Sequence, residues 1–322
     1  MIKRLKFYKS QETNPYINLG IEKHLLERVD DDTLILYLWQ NKNTVVIGKN
    51  QNPWAECCVS FAEEDGGFIA RRQSGGGAVY HDLGNVNFTF ISSKENMDVS
   101  RNMQIIQKAC EKVGVKTEIS GRNDILADGK KFSGNAFYNT KDKAYHHGTI
   151  LVNADKEKMQ KLLTPSKAKL IAKGVKSVTS RVVNLAELSE SATCESVKDG
   201  ILSAFIETFN MSCEAIMDID MDFVNSMAEE YSSWDFVFGK TIDFSVSLEN
   251  RFSWGQVQLL LNVKDGIISD IQVFTDAMDS TLSETIEKAL KGCKYDLSSV
   301  KKRLTNAQTP HKEDIVSLFQ NI

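Results

Sequence analysis

The chain has 322 residues, 42% of them hydrophobic and 25% charged, a size and balance that suit a globular protein with a substantial core in two domains. A net charge of -4 and a pI near 5.8 leave no broad basic field for phosphate backbones, so no nucleic-acid partner is expected. The N-terminus MIKRLKFYKS lacks a signal-peptide core and no later run reaches a membrane span, so a cytoplasmic protein without membrane attachment is expected.

In chain order, residues 4–9 read as a strand, and Asn14-Pro15 opens a helix to about Val29 with Ile17, Ile21, Leu25 and Leu26 on one face. Residues 33–40 and 44–48 read as strands, and Asn52-Pro53 offers an N-cap and N1 proline for a helix to about Glu64. Residues 68–92 alternate strand-like runs with a glycine cluster, and a helix over Val99–Val113 stops at Gly114. Strands follow at 115–119, 123–127, 131–138 and 145–152, then short helices and a basic loop over 155–188, and a longer helix over 193–209. The texture changes at 232–243. Beyond it, 243–249, 254–264 and 267–274 form a predicted meander turning at Asp265-Gly266, with helices at 278–291 and 310–320.

The six cysteines are scattered apart from adjacent Cys57 and Cys58, and the five histidines show no HExxH spacing. Neither a zinc site nor a disulfide framework is suggested.

Arg71-Arg72-Gln73-Ser74-Gly75-Gly76-Gly77-Ala78-Val79-Tyr80-His81-Asp82 is the most unusual segment. Three glycines lose much backbone entropy on folding, which is tolerated where a ligand comes close or φ is positive, and their amides can form an anion nest. It is neither a Walker A loop nor a GxGxxG fingerprint. A hairpin bend with glycines placed for packing is the competing reading, and the arginine pair favours a phosphate or carboxylate ligand. Asp124 reads either as a turn residue or, as a hard oxygen donor, as a contact for Mg2+. Lys130 and Lys131 point to opposite faces of a strand, so one is solvated and the other faces inward, where it can pair with a carboxylate and a phosphate. His146 and His147 also face opposite ways and cannot easily chelate one metal. Residues 173–182, basic and β-branched, read equally as a closing loop over an anion or as a plain linker.

Taken together, RRQSGGGAVYHDLGN (71–85), GRNDI (121–125), KFSGNA (131–136), HHGTIL (146–151), KGVKSVTSRVVNL (173–185) and NTVVIGKNQNPWAEC (43–57) resemble the lipoate–protein ligase family, in its order and approximate spacing. The resemblance covers roughly the first three-quarters of the chain. It implies an α+β fold related to biotin ligases: a mixed β-sheet catalytic domain flanked by helices over 1–240, and a small C-terminal α+β accessory domain over 241–322. It further implies ATP-dependent activation of lipoic acid to lipoyl-AMP, with Mg2+, and transfer to a lysine of an acceptor lipoyl domain. Such acceptors are 2-oxoacid dehydrogenase E2 subunits and glycine-cleavage H protein; use of octanoate stays open, and a monomer is expected.

In this reading Arg72, Gly77, Ala78, Val79 and Tyr80 contact the nucleotide, and Lys176, Ser177 and Arg181 hold the adenylate from the 173–182 loop. Ser74, Gly75, Gly76 and His147 contact lipoate, Lys131 touches both lipoate and the α-phosphate, and Asp124 contacts Mg2+. A same-fold acyltransferase would instead need a cysteine nucleophile, for which Cys57 and Cys58 are the candidates.

Overall fold

The computed structural model describes residues 1–58, 62, 65–120, 124–163, 182–239 and 245–320. Strand β1 (Arg4–Lys9) leads into helix α1 (Pro15–Arg28), which starts where the sequence predicts because the Asn14 side chain accepts from the Tyr16 amide and Pro15 takes the first turn. β2 (Thr33–Trp39) is buried along its whole length, and its side chains alternate between two cores. Leu34, Leu36 and Leu38 meet Phe88 and Phe90 of β6 (Asn85–Ser93) under helices over Val99–Lys112 and Cys194–Phe209. Ile35, Tyr37 and Trp39 meet α1 and the helix over Met221–Ser232 on the other face.

These strands belong to an eight-stranded sheet ordered β11-β1-β2-β6-β10-β9-β8-β7, with β7 at Glu118–Ser120, β8 at Asp124–Ala127, β9 at Lys130–Asn139, β10 at Lys143–Leu151 and β11 at Cys213–Ala215. β1 runs parallel to both its neighbours and the other pairings are antiparallel, so the sheet is mixed. A second sheet pairs β3 (Thr44–Ile47) between β4 (Phe68–Arg71) and β5 (Val79–His81), and the glycine loop bridges β4 and β5.

Residues 245–320 carry their own meander, β12 (Val246–Phe252), β13 (Gly255–Lys264) and β14 (Ile267–Thr275). Asp265 and Gly266 both adopt positive φ, as the tight hairpin requires. Helices over Leu282–Leu290, Leu297–Asn306 and Lys312–Ser317 cover this sheet and close a separate core around Leu259, Leu261, Ile286, Leu304 and Phe319. The unit docks on the rest through Thr275 N to Asn50 O (2.8 Å), Asn50 Nδ2 to Ser280 O (3.0 Å) and Gly76 N to Ala277 O (3.0 Å).

Several boundaries differ from expectation. The helix opened by Asn52 closes at Glu56, because Cys57 is extended and bridges Leu163. The helices over Met221–Ser232 and Leu297–Asn306 and the short edge strand β11 are additions. Between 155 and 188 a helix covers Lys156–Leu162 and a 3-10 turn Leu185–Glu187, while 164–181 lie outside the described residues. Among the described residues no helix is long and apolar enough to cross a membrane.

Candidate active site

A cavity of about 1330 Å3 lies where the glycine loop, β9, β10, α1 and the C-terminal unit meet. Leu19, Trp39, Val46, Phe137 and Leu151 supply apolar wall. Lys131 and Asp124 supply charge, with Lys131 Nζ 2.7 Å from Asp124 Oδ1. The register explains the pair: Asp124 opposes Gly134, a bulge follows Ile125, and the ammonium lies over Gly134, where an added Cβ would be 3.0 Å from Nζ. Lys130 is exposed at the rim and Lys131 is half-buried inside, as strand alternation predicts.

The two arginines do something different from what their position beside a glycine loop suggests. Arg71 donates to Gly48 O, Lys49 O and Gln51 O (3.2, 2.9 and 2.8 Å) and to Phe236 O and Val237 O. Arg72 is 6% exposed and commits four of its five N–H groups: Nε to Ser74 Oγ (3.0 Å), Nη1 to Val46 O (3.1 Å), and Nη2 to Gly75 O (2.7 Å) and Gly77 O (2.8 Å). Burial pushes both guanidinium groups down to about 10, still charged near neutrality. Arg72 touches the cavity, but its donors pin the loop's own backbone. The expected phosphate contact is therefore not among the bonds it makes.

The loop also divides. Gly76, Gly77, Ala78, Val79 and Tyr80 line the cavity. Ser74 and Gly75, expected against lipoate, stand behind the wall. Ser74 is wholly buried between Arg72 and His147, with its Oγ 2.8 Å from His147 Nε2. Gly75 lies under the C-terminal unit, where a Cβ would come within 2.4 Å of Ala277 O and 2.5 Å of Met278 O. Gly76 takes φ +91, which an L side chain rarely adopts. The triple glycine thus serves domain packing through Gly75, while Gly76 and Gly77 line the cavity.

His147 reaches the cavity and is fixed by Ser74 and by Glu22 Oε1, 2.9 Å from its Nδ1. His146 points the opposite way among Phe88, Phe90 and Phe137, and burial with nearby His147 pushes it down to about 3. His81 is likewise held neutral, down to about 3, by burial and then by Arg72 and His147. Cys57 is buried and its thiol is pushed up to about 12, by burial and then Glu56, so it is no ready nucleophile. Lys176, Ser177 and Arg181 lie outside the described residues. Glu22 and the C-terminal wall of Arg251, Trp254, Asp276, Met278 and His311 were not anticipated, because contacts this distant in sequence leave no local spacing.

Residues 14–206 match the lipoyl protein ligase A/B catalytic domain, and residues 241–319 match the bacterial lipoate protein ligase C-terminus. "Lipoate-protein ligase A" of Psychrobacter cryohalolentis is 41% identical over 320 residues, spanning 96% of this chain and 94% of the relative. The chain belongs to the lipoate–protein ligase family.

Two solved structures agree with this ligase's architecture. P. falciparum LipL1, in complex with lipoate, superposes with a TM-score of 0.87 at 30% identity, over 98% of this chain and 99% of that one. Lipoate-protein ligase A bound with ATP gives a TM-score of 0.60 at 25% identity, over 74% and 99%.

Proposed function

We propose that the cavity holds lipoate and ATP together and that Lys131 manages the charge of their reaction. The observation that carries this is the Lys131–Asp124 pair at 2.7 Å, in one cavity with an apolar wall and the cavity-lining part of the glycine loop. The apolar wall takes the lipoyl tail, gaining roughly 0.8 kcal/mol per buried CH2. The carboxylate then lies near the Lys131 ammonium.

In the first step a lipoate carboxylate oxygen attacks the α-phosphorus of ATP, forming lipoyl-AMP and releasing pyrophosphate. The carboxylate is already ionised, so no base is needed; the obstacle is bringing an anion to a polyanion. Lys131 lowers that barrier by meeting the carboxylate and the α-phosphate at once, leaving Asp124 for it. Gly77, Ala78, Val79 and Tyr80 form the nucleotide side, with Arg72 holding their backbone in place. In the second step the acceptor lysine amine, after losing its proton, attacks the lipoyl carbonyl and AMP leaves.

Among the described residues no group of three His, Cys, Asp or Glu side chains is arranged for a metal. The single Asp124 carboxylate fits Mg2+ held mainly by substrate phosphates, where the ion would offset phosphate charge. Residues 173–182, with Lys176, Ser177 and Arg181, stay assigned to the adenylate by resemblance alone. The acceptor is a lipoyl-domain protein, and the unit over 241–322 is an accessory domain.

Lipoate-dependent ATP–pyrophosphate exchange, followed by transfer to an apo lipoyl domain, tests the reading. Exchange that requires free lipoate supports it. Acyl transfer from a carrier without ATP would replace it by the transferase reading, which the buried Cys57 disfavours.

A further inference from the structure

Behind the cavity wall runs a continuous buried line of hydrogen bonds that ends on the loop's pin. Trp39 Nε1 donates to Thr89 Oγ1 (3.0 Å), and Thr89 Oγ1 donates to Glu22 Oε1 (2.8 Å). The same carboxylate oxygen lies 2.9 Å from His147 Nδ1, His147 Nε2 lies 2.8 Å from Ser74 Oγ, and Arg72 Nε donates to that Oγ (3.0 Å). Protons can be placed in one way that satisfies every member. An ionised Glu22 only accepts, so His147 carries its proton on Nδ1; Nε2 then accepts from Ser74, whose oxygen receives Arg72.

Ser74, His147 and Glu22 have the connectivity of a nucleophile, a base and its orienting acid. Two facts rule out that use. Ser74 is wholly buried and is not among the residues lining the cavity. Its oxygen also accepts from the Arg72 N–H.

Glu22 itself is 3% exposed on α1, and an ionised carboxylate there is costly unless matched. The buried Arg72 cation at the far end of the line supplies the opposite charge, with His147 and Ser74 passing the polarity between them. Arg72 in turn grips Gly75 O and Gly77 O. In a trans peptide the next N–H points opposite to the carbonyl, so this grip sets the amides of Gly76 and Ala78. The Gly76 amide does point outward, to Ala277 O at 3.0 Å.

We propose that Glu22 is a positioning residue: acting through His147 and Ser74 on Arg72, it fixes the peptide planes of the glycine loop that the adenylation step uses. This rests on the ligase reading above. It also joins the tail wall at Trp39 to the nucleotide side of the cavity through six side chains.

The test uses the full chain in lipoate-dependent ATP–pyrophosphate exchange, with kcat and KM for lipoate measured separately. Glu22→Gln keeps the shape and an acceptor but removes the charge. Ser74→Ala cuts the line between His147 and Arg72 and leaves the His147–Glu22 bond, and Ser74→Thr restores the hydroxyl.

Loss of loop positioning lowers kcat by on the order of 10- to 100-fold in Glu22→Gln and in Ser74→Ala, with KM for lipoate moving less than about 3-fold. The double variant is no worse than the poorer single, because both act through Arg72. Ser74→Thr recovers most of the loss. If Glu22→Gln does not fold, the Ser74→Ala and Ser74→Thr pair carries the same decision. Any one of three results overturns the proposal: kcat unchanged in Ser74→Ala, single effects that multiply in the double variant, or a lipoyl–Ser74 adduct in the mass spectrum of quenched enzyme. Wild-type enzyme without lipoate-dependent exchange would instead remove the ligase reading, so the two failures are distinguishable.

Discussion

The glycine loop and the β8–β9 strand pair both bring cations to the same cavity, yet they use them in opposite ways. Arg72 is buried and Arg71 half-buried, and their donors go to protein oxygens, mostly backbone carbonyls. Lys131 is half-buried, and its one ion-pair partner among the described residues, Asp124, is itself a residue of the cavity wall. A guanidinium with five donors in a fixed fork suits holding several carbonyls at once, whereas an ammonium on a flexible stem can change partners. Charge beside a glycine loop is therefore no guide to which cation stays available to a ligand; the count of donors already spent is.

Removing the pin is the harshest way to probe this contrast. Arg72→Met leaves four acceptors without a donor and Glu22 without its counter-charge. A loss of about 3–5 kcal/mol is expected in denaturant unfolding, with activity falling in step. Retained stability with lost exchange would move Arg72 to the ligand side of the comparison.

Gly75→Val acts on the same loop from outside. Its side chain would press into Ala277 O and Met278 O, so the docked C-terminal unit must shift. A loss of about 1–3 kcal/mol and faster proteolytic cleavage between the two units are expected. An unchanged digestion pattern would contradict a packing role for this glycine.

The buried side also has a pH signature. His81, held down to about 3, has a reference value of 6.5. Between those values the unfolded chain binds more protons than the folded one. Its contribution is therefore complete above 6.5 and is lost as pH falls toward 3. His81→Leu should flatten the stability–pH slope by up to about 1.4 kcal/mol per pH unit, read from urea unfolding at a series of pH values. A slope equal to wild type would mean that His81 charges without unfolding.

On the lysine side the effect on folding is the smallest. Asp124→Asn breaks a partly exposed pair and should change stability by no more than about 1 kcal/mol, while altering KM for ATP. A large stability loss would make that pair structural.

Much of the scaffold was legible because local chemistry dictates it. Asn14-Pro15 starts a helix, Asp265-Gly266 turns a hairpin, and TLILYLW alternates between two cores. The helix over Met221–Ser232 was not, although Asp220 caps it, since it fully buries only Val224 and Tyr231. The helix over Leu297–Asn306 is similar, with Val300 and Leu304.

In the site, alternation parted Lys130 from Lys131 and His146 from His147, and the family resemblance named Lys131 as the inward lysine. Arg72's partner Val46 stands 26 positions away and Glu22 stands 125 from His147, so neither role has a spacing to read. Nor did the loop reveal that Gly75 faces another unit.

Lys131, and not the arginine pair, is proposed to meet the reacting anions. Lipoate-dependent ATP–pyrophosphate exchange by Lys131→Ala, with its unfolding midpoint measured on the same preparation, tests it most directly. A loss of at least about 100-fold in exchange is expected, with a stability change within about 0.5 kcal/mol. Near-normal exchange by a folded Lys131→Ala protein would contradict it.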